Sequence, residues 1–519
     1  MSARLMIQCF VLLSTLLIST SAYSAAPDSF KFHVDRFQFE GFIPIDIALV
    51  DSTLEPFQNQ EHTLESLLEV SKTLEAVIRE QGYAFYRVVL PQQPLGKQAT
   101  IILKVVAFTL GDISIEDNQF FDDENVLRSL PGLVIGKSPN TEVLARALKV
   151  AIHHPLKDLR LTFKQAKSEN EINATVNVTD AEPDNFAVIL ANTGNSATGY
   201  YRLTGSYQHT NLFNQDHILN ISYTTSPGHF KDVKQYGGSY SAPLYSQDAW
   251  LTGYWVQSDV NTGTVGALDI SGAGTMMGLH YLKNIERFGV YEHWLDIGFD
   301  NKIFENNILS GAISLIPDVR SAPVSIMYKA EFPWKENKFD FYLQATSNTG
   351  MGSDNDQAAY DGNRDNAERN WHHFRYGMTV NRHFKGWGLR GVFSGQYANE
   401  PLISGEQFGL GGSASVRGYE EREIGKDVGY SIKLEATSPK YKDANYVGFF
   451  DYGSGRSQDF QPGDPAKSQN IASLGAGVRW QYEKKMLVSF DLAHVLKDGA
   501  SGQTRSGDNR LHGTVMINF

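Results

Sequence analysis

"ASLGAGVRWQY", residues 472–482, puts Leu474, Ala476, Val478, Trp480 and Tyr482 on one side of an extended chain and Ser473, Gly475, Gly477, Arg479 and Gln481 on the other. Successive side chains of a strand point to opposite faces, so this segment is a strand with one apolar face, one polar face and an aromatic end. "ILNISYTT" (218–225) repeats the pattern, with Leu219, Ile221 and Tyr223 against Asn220, Ser222 and Thr224. "RLHGTVMINF" (510–519) alternates Leu511, Val515, Ile517 and Phe519 with His512, Thr514 and Asn518. Dyad alternation with aromatic ends is what a membrane β-barrel requires, one face meeting lipid and the other a polar interior. A soluble sandwich or propeller is the alternative; strands this long, repeated throughout, count against it.

Working outward, the pattern holds from about Asp184 to Phe519. Counting alternating segments, from one centred near Ile189 to one near Val515, predicts sixteen strands, the even number expected of a single-chain barrel. Breaks alternate between short ones ("SAPLYSQ", "RHFKGW", "YEKK") and long polar ones at 350–371, 399–426 and 455–470. Short turns belong at the inner rim and long loops outside, which puts 399–426 in the sixth outer loop. Beyond the first residues there is no apolar run of about 18 residues, so a spanning chain must close its strands into a barrel.

The part from Phe32 to about Pro183 has a different rhythm. "HTLESLLEVSKTLEAVIREQG" carries Leu64, Leu67, Leu68, Leu74, Val77 and Ile78 at helical spacing, with Thr63 to cap its start and Gly82 its end. "FYRVVLP" and "ATIILKVV" read as strands. A strand ("LGDISIED"), two helices capped by Asp122 and Asn140, and two strands ("LRLTFKQA", "INATVNVTD") then follow. This predicts two α+β units of roughly 75 residues each, 32–107 and 108–183, before a barrel at 184–519.

Residues 1–26 read as a signal peptide: Arg4, an apolar run from about Leu5 to Ile18, then small residues with cleavage between Ala22 and Ala26. The single cysteine, Cys9, lies inside it, so the rest has no disulfide and no thiolate metal site. The formal net charge of −12 argues against a nucleic-acid binder, which needs a basic footprint.

"GLGGSASVRGYEERE" (409–423) places Arg417 in the sixth outer loop. In the neighbouring strands, Phe450 and Leu434 facing lipid would turn Asp451, Phe449, Lys433 and Glu435 inward. A charge facing lipid at mid-depth costs roughly 2–4 kcal/mol, which decides that orientation. A loop folded inward could pair Arg417 with Asp451, and Gly409, Gly411, Gly412 and Gly418 would let it turn tightly. A solvated loop arginine is the plainer reading of spacing alone.

"VRGY" (416–419) followed by "GFFDYGSG" (448–455) resembles the barrel motifs of the outer-membrane assembly and two-partner secretion superfamily. "GYAFYRVVLPQQPL" (82–95) is similar to the end of a first POTRA domain of two-partner secretion transporters. "NQFFDDENVLRSLPGL", "PNTEVLARALKVAIHHPLKDLRLTF" and "VNVTDAEP" resemble a second. "LANTGNSATGYYRLTGSYQHTNLFNQDHILNISYTTSP" (190–227) resembles the opening of the haemolysin-secretion barrel. The resemblance implies periplasmic α+β POTRA domains followed by a 16-stranded antiparallel transmembrane β-barrel in the bacterial outer membrane. It implies a loop motif of Val416, Arg417, Gly418 and Tyr419 inside the barrel, with Arg417 on Asp451 of an inner-wall motif that includes Phe449 and Gly453. The implied function is transport of one large, β-rich cognate exoprotein, recognised in the periplasm and passed unfolded to the surface. The POTRA domains would bind it by strand addition or along a helix–strand groove. Outer-membrane lipid is the other partner; no enzyme activity, cofactor, metal or nucleic acid is implied. Family members with an N-terminal plug helix differ from this sequence, where Pro27 to Phe30 leaves no room for a helix of about 11 residues. The sixth loop is then the expected main obstruction.

Other signals are weaker. "GLVIGKSP" has three residues between Gly132 and Gly136 rather than the four of a phosphate loop. No G-x-S-x-G elbow occurs. His153–His154 and His372–His373 lack metal-ligand spacing, and "GSDNDQAAYDGNRDNAERN" (352–370) reads as a solvated loop before a calcium site. An insertase of other barrels is the alternative function; a passive porin and a barrel lipase fit less well.

Overall fold

The computed structural model describes residues 31–519 apart from 95–97, 196–197, 261–262, 266–267, 271–272, 306–308, 311–312, 315–316, 460–465, 484, 501 and 503. The expected signal peptide and the stretch from Pro27 to Phe30 lie outside the described residues. The chain divides into two compact units at Phe108/Thr109.

The first unit contains β1 (Phe32–Glu40), α1 (Ile47–Leu54), β2 (Gln60–His62), α2 (Leu64–Glu80), β3 (Tyr86–Val89) and β4 (Gln98–Ala107). Its sheet runs β2-β1-β4-β3, with β1 and β4 parallel. The apolar stripe of α2 packs Leu67, Val70, Leu74 and Ile78 against Phe32, Val34, Ile101, Leu103 and Val105. Thr63 and Ser66 form a reciprocal capping box at its start, which satisfies two otherwise unpaired backbone donors. Helix α1 is not evident in the sequence because its eight residues bury only Val50 and Leu54, too little for a period to show.

The second unit opens with β5 (Thr109–Glu116), α3 (Asp123–Arg128), α4 (Thr141–Ile152), β6 (Lys157–Gln165) and β7 (Glu171–Asp180). These form a three-stranded sheet, β5-β7-β6, with Asp122 and Asn140 capping the helices. The chain then runs through β8 (Asp184–Ala191), β9 (Arg202–Leu212), β10 (His217–Thr225), β11 (Lys234–Leu244), β12 (Ala249–Ser258), β13 (Gly274–Asn284), β14 (Glu292–Phe304) and β15 (Pro323–Trp334). It continues through β16 (Asn337–Asn348), β17 (His372–Phe384), β18 (Trp387–Ala398), β19 (Val428–Thr437), β20 (Ala444–Arg456), β21 (Ser468–Tyr482), β22 (Met486–Val495) and β23 (Asn509–Asn518). Together they close into an antiparallel barrel of sixteen strands, β15 being extended by Val319–Ser321 across Ala322.

All sixteen expected centres fall inside these strands. The faces follow the lipid argument: Leu434, Phe450, Leu474, Phe490, Leu492 and Leu511 are exposed on the outer wall. Asp451, Ser473, Asp491 and His512 are buried inside. Aromatic belts mark the two membrane boundaries. One, near the rim joined to the α/β domain, includes Phe186–Phe519 and the stacked pair Phe332–Phe339. The other includes Tyr223–Tyr236 and Tyr430–Tyr452.

The seam where β23 meets β8 is closed in two ways. Backbone pairing covers 514–518 with 187–191. Beyond it, the Asn192 side chain takes the place of a strand: Nδ2 donates to Leu511 O at 2.6 Å and Oδ1 accepts from Gly513 N at 2.7 Å. A net hydrogen bond contributes about 0.5–1.5 kcal/mol. Asn192→Ala should therefore cost the barrel about 1–3 kcal/mol, seen as a lower urea midpoint in detergent or lipid; an unchanged midpoint would show that the seam does not need the amide.

Candidate functional site

The connection between β18 and β19, residues 399–427, is drawn into the barrel. Its arms pair as a short hairpin, Phe408–Leu410 against Ile424–Lys426. Gly411 and Gly412 turn the chain at positive φ, whereas Gly409, expected to do the same, is extended within the hairpin. A side chain at Gly409 would collide with Arg422, so close approach is what requires glycine there.

Past the hairpin the tip lies against the wall. Arg417 is among the largest fully buried side chains of the protein. Its Nε donates to Asp451 Oδ2 at 2.7 Å and its Nη2 to Oδ1 at 2.8 Å, a bidentate pair. Nη1 donates to Glu435 Oε1 at 2.7 Å and Asp491 Oδ2 at 3.1 Å. The guanidinium lies over the Phe449 ring, 3.5 Å from its centroid. Even the backbone N–H of Arg417 donates to Asp451. Gly418, at φ +97°, gives its N–H to His512 Nε2 at 2.8 Å, and a Cβ there would press on Val495. Tyr419 donates its hydroxyl to Lys497 O at 2.6 Å and accepts from Ala472 N at 3.1 Å. Val416 joins Leu410, Ile424, Ile471 and Val495 in a small apolar cluster. Gly453 makes room for it, since a Cβ there would lie 2.9 Å from Leu410 and 3.0 Å from Val416.

The same loop is fastened to the opposite wall. Glu406, fully buried, accepts from Lys302 Nζ of β14 at 3.1 Å and from Ser321 Oγ at 2.8 Å. Gln396 of β18 donates to the backbone oxygens of Glu406 and Asp427. Asp427 gathers three loops: it takes both Arg364 nitrogens at 2.6 and 3.0 Å, Leu402 N, and Gln458 N. Residues 399–427 therefore cross the lumen from β14 to β22.

Arg364 follows α5 (Gln357–Asn363), inside the stretch expected to be a solvated loop. Most of that stretch is exposed, but Tyr360 within it and Trp371 just after it are fully buried: Asn348 Nδ2 donates to the Tyr360 hydroxyl, and Trp371 stacks on His373.

A second polar cluster joins the α/β domain of 109–183 to the barrel floor. Lys157 of β6 donates to Asp216 Oδ2 at 2.5 Å, to Asn125 Oδ1 at 2.7 Å and to Ser129 Oγ at 2.8 Å. Asp216, in the turn between β9 and β10, also accepts from Tyr245 and Asn125. Burial pushes the Asp216 carboxyl up, but the Lys157 charge and the hydrogen bonds from Lys157, Tyr245 and Asn125 outweigh it and hold the group below its ordinary value. The end of α4 adds His154 to Thr210 O, His153 beneath the Trp294 indole N–H, and Trp250 to Val150 O. The His153–His154 pair, which has no metal spacing, is thus part of a joint.

The structure brings Val416, Arg417, Gly418, Tyr419, Phe449, Asp451 and Gly453 into one contact region. Sequence reasoning turned Glu435 inward without giving it to Arg417, and it missed Asp491. The alternation in "VSFDLAHV", with Phe490 and Leu492 facing lipid, could have found Asp491. Glu406, Asp427 and the Lys157–Asp216 cluster have no such signal, because at least one partner of each contact lies in a loop or turn far away in sequence.

A lipid-facing barrel crossed by its own loop, with small α/β domains preceding it, defines an outer-membrane barrel transporter of the POTRA class. Residues 170–480 match the family model for haemolysin secretion/activation protein ShlB/FhaC/HecB, and residues 32–107 match the ShlB-type POTRA domain. The chain belongs to that family: it is a two-partner secretion transporter of the outer membrane, with POTRA domains in the periplasm and a cognate secreted exoprotein as partner. Heme/hemopexin transporter protein HuxB of Haemophilus influenzae (strain ATCC 51907 / DSM 11121 / KW20 / Rd) is 20% identical over 441 residues, covering 82% of this chain and 76% of that protein. A further HuxB from H. influenzae is 22% identical over 444 residues, with the same coverage. Among solved structures, CdiB from Escherichia coli superimposes with a TM-score of 0.71 at 17% identity, over 96% of this chain and 93% of that one. CdiB from Acinetobacter baumannii gives 0.66 at 16% identity, over 95% and 91%.

Removing one partner of a buried ion pair costs about 3–5 kcal/mol because the other charge is stranded. Asp216→Ala should therefore loosen 109–183 from the floor, read as faster proteolysis of that domain in the intact protein. The paired change Lys157→Met with Asp216→Leu should be milder than Asp216→Ala. A depressed carboxyl contributes stability above its unfolded pKa and loses it as pH falls through the folded value. The joint should accordingly survive mildly acid conditions and loosen only below the ordinary carboxylate range.

Proposed function

We propose that the protein exports one large, β-rich exoprotein, unfolded, through its own barrel, and that residues 399–427 are the gate of that pore. The observation that carries the reading is Arg417, buried in the lumen and fastened to Asp451 by two side-chain hydrogen bonds and one from its backbone. We assign the two α/β units, 32–107 and 108–183, to client recognition and 184–519 to translocation. The step is transport without chemistry: nothing in the reading calls for a cofactor, a metal or a nucleotide. Folding of the emerging chain outside gives direction, and outer-membrane lipid holds the barrel through its apolar wall and aromatic belts.

Deleting the gene and comparing surface and secreted proteins tests the function. Loss of one large exoprotein supports export; broad loss of barrels from the outer membrane would point to an insertase instead. Arg417→Ala tests the gate. It should lower secretion several-fold while leaving a folded, membrane-inserted barrel, visible as heat-modifiable mobility on a gel. If Arg417 and Asp451 act as one unit, the double alanine variant should secrete little less than either single; additive losses would mean that they act separately.

A further inference from the structure

Arg417 is not the only cation facing its carboxylates. A cavity of 340 Å³ beside it is lined by Arg390, Lys433 and Arg479 as well as by Arg417, Glu435 and Asp491. The strand registers give each carboxylate a cation of its own. Lys433 stands directly across from Asp451 in the β19–β20 ladder. Arg390 stands directly across from Glu435 in the β18–β19 ladder. Residues opposite one another in an antiparallel pair have Cβ atoms about 4.5–5.5 Å apart, within easy reach for long side chains. Arg479 already holds Asp491, through Nη1 at 2.6 Å and Nη2 at 2.8 Å.

Lys433 is engaged by the loop itself, donating to Ser413 O at 3.1 Å and Ala414 O at 3.2 Å. Any movement that carries the tip away from Asp451 also frees the ammonium opposite that carboxylate. The wall alone sets Arg390, Lys433 and Arg479 against Glu435, Asp451 and Asp491, three charges of each sign. Arg417 is a fourth cation. Its departure leaves a balanced wall and strands no buried carboxylate, the situation that makes most buried ion pairs hard to open.

We propose that Lys433 and Arg390 are positioning residues that take over Asp451 and Glu435 when Arg417 leaves, while Arg479 keeps Asp491, which makes 399–427 a releasable gate and not a fixed plug. The inference rests on the gate reading of Arg417 given above.

The test uses full-length protein in cells making the cognate exoprotein. In Lys433→Met combined with Arg390→Gln, Asp451 and Glu435 have no replacement cation, so Arg417 should be held longer. Secretion should fall about tenfold, which corresponds to about 1.4 kcal/mol on the barrier. Externally added trypsin, which reaches the bond after Arg417 only when the tip leaves the lumen, should cut there about tenfold more slowly. The barrel should stay folded, since Arg417 and Arg479 still pair with the wall carboxylates. Lys433→Arg and Arg390→Lys, which keep the charge, should restore both rates. Wild-type secretion and cleavage in the double variant would overturn the exchange even if Arg417→Ala blocks export, and so would failure of the double variant to fold. Unchanged export in Arg417→Ala would bring down the gate reading itself.

Discussion

Hydrocarbon accepts neither an open strand edge nor a charged side chain, and every part of this protein's working apparatus follows from that. Closure is forced because each backbone group must find a partner within the sheet. Alternation is forced because only one face may be polar. The charges excluded from the outer wall collect inside, where Asp451, Glu435 and Asp491 project from β20, β19 and β22 toward one region of the lumen. A concentration of carboxylates at the inner wall is a ready binding place for a guanidinium, and the sixth loop supplies one.

Two of the buried ionic joints differ in character. At the floor, Lys157 and Asp216 are a single pair, their remaining capacity filled by Asn125, Ser129 and Tyr245. Opening that joint would strand two charges and several hydrogen bonds, so it suits a permanent attachment. In the lumen, the carboxylates around Arg417 face further cations along the wall. Burial alone does not distinguish the two, since Lys157 and Arg417 are equally inaccessible. What differs is whether another partner stands within reach.

How far the sequence carried the structure depends on how much lipid constrained each part. Strands were legible because a one-residue slip would put Asp451 or Arg479 into hydrocarbon, and no sequence that folds here can hide that period. The α2 helix was legible from its stripe and its Thr63 cap. The Arg417–Asp451 contact needed the face assignment together with the motif resemblance, because spacing alone cannot say which inward carboxylate a loop will reach. Asp427 with Arg364, Glu406 with Lys302, and the buried Tyr360 and Trp371 were not legible. Each involves a residue of the long outer loops, where no extended helical or strand period operates, and only the closed barrel brings the partners together.

On the proposal that residues 399–427 are the gate, the question is how a pore fastened at both walls opens. The full burial energy of an arginine is the wrong measure of the barrier. In the proposed exchange Arg417 would leave three carboxylates but regain its hydration in the water of the lumen, while Asp451 and Glu435 would turn to Lys433 and Arg390 on the neighbouring strands. The cost is a difference between two sets of ion pairs, not the loss of one, and electrostatic energies of either set shrink as water enters the cavity. On this reading an incoming client segment need only displace Leu410, Val416 and Tyr419 from their apolar seat against Ile471 and Val495 to start the exchange. The apolar contacts and the difference between the two sets of ion pairs then together set how firmly the gate is shut.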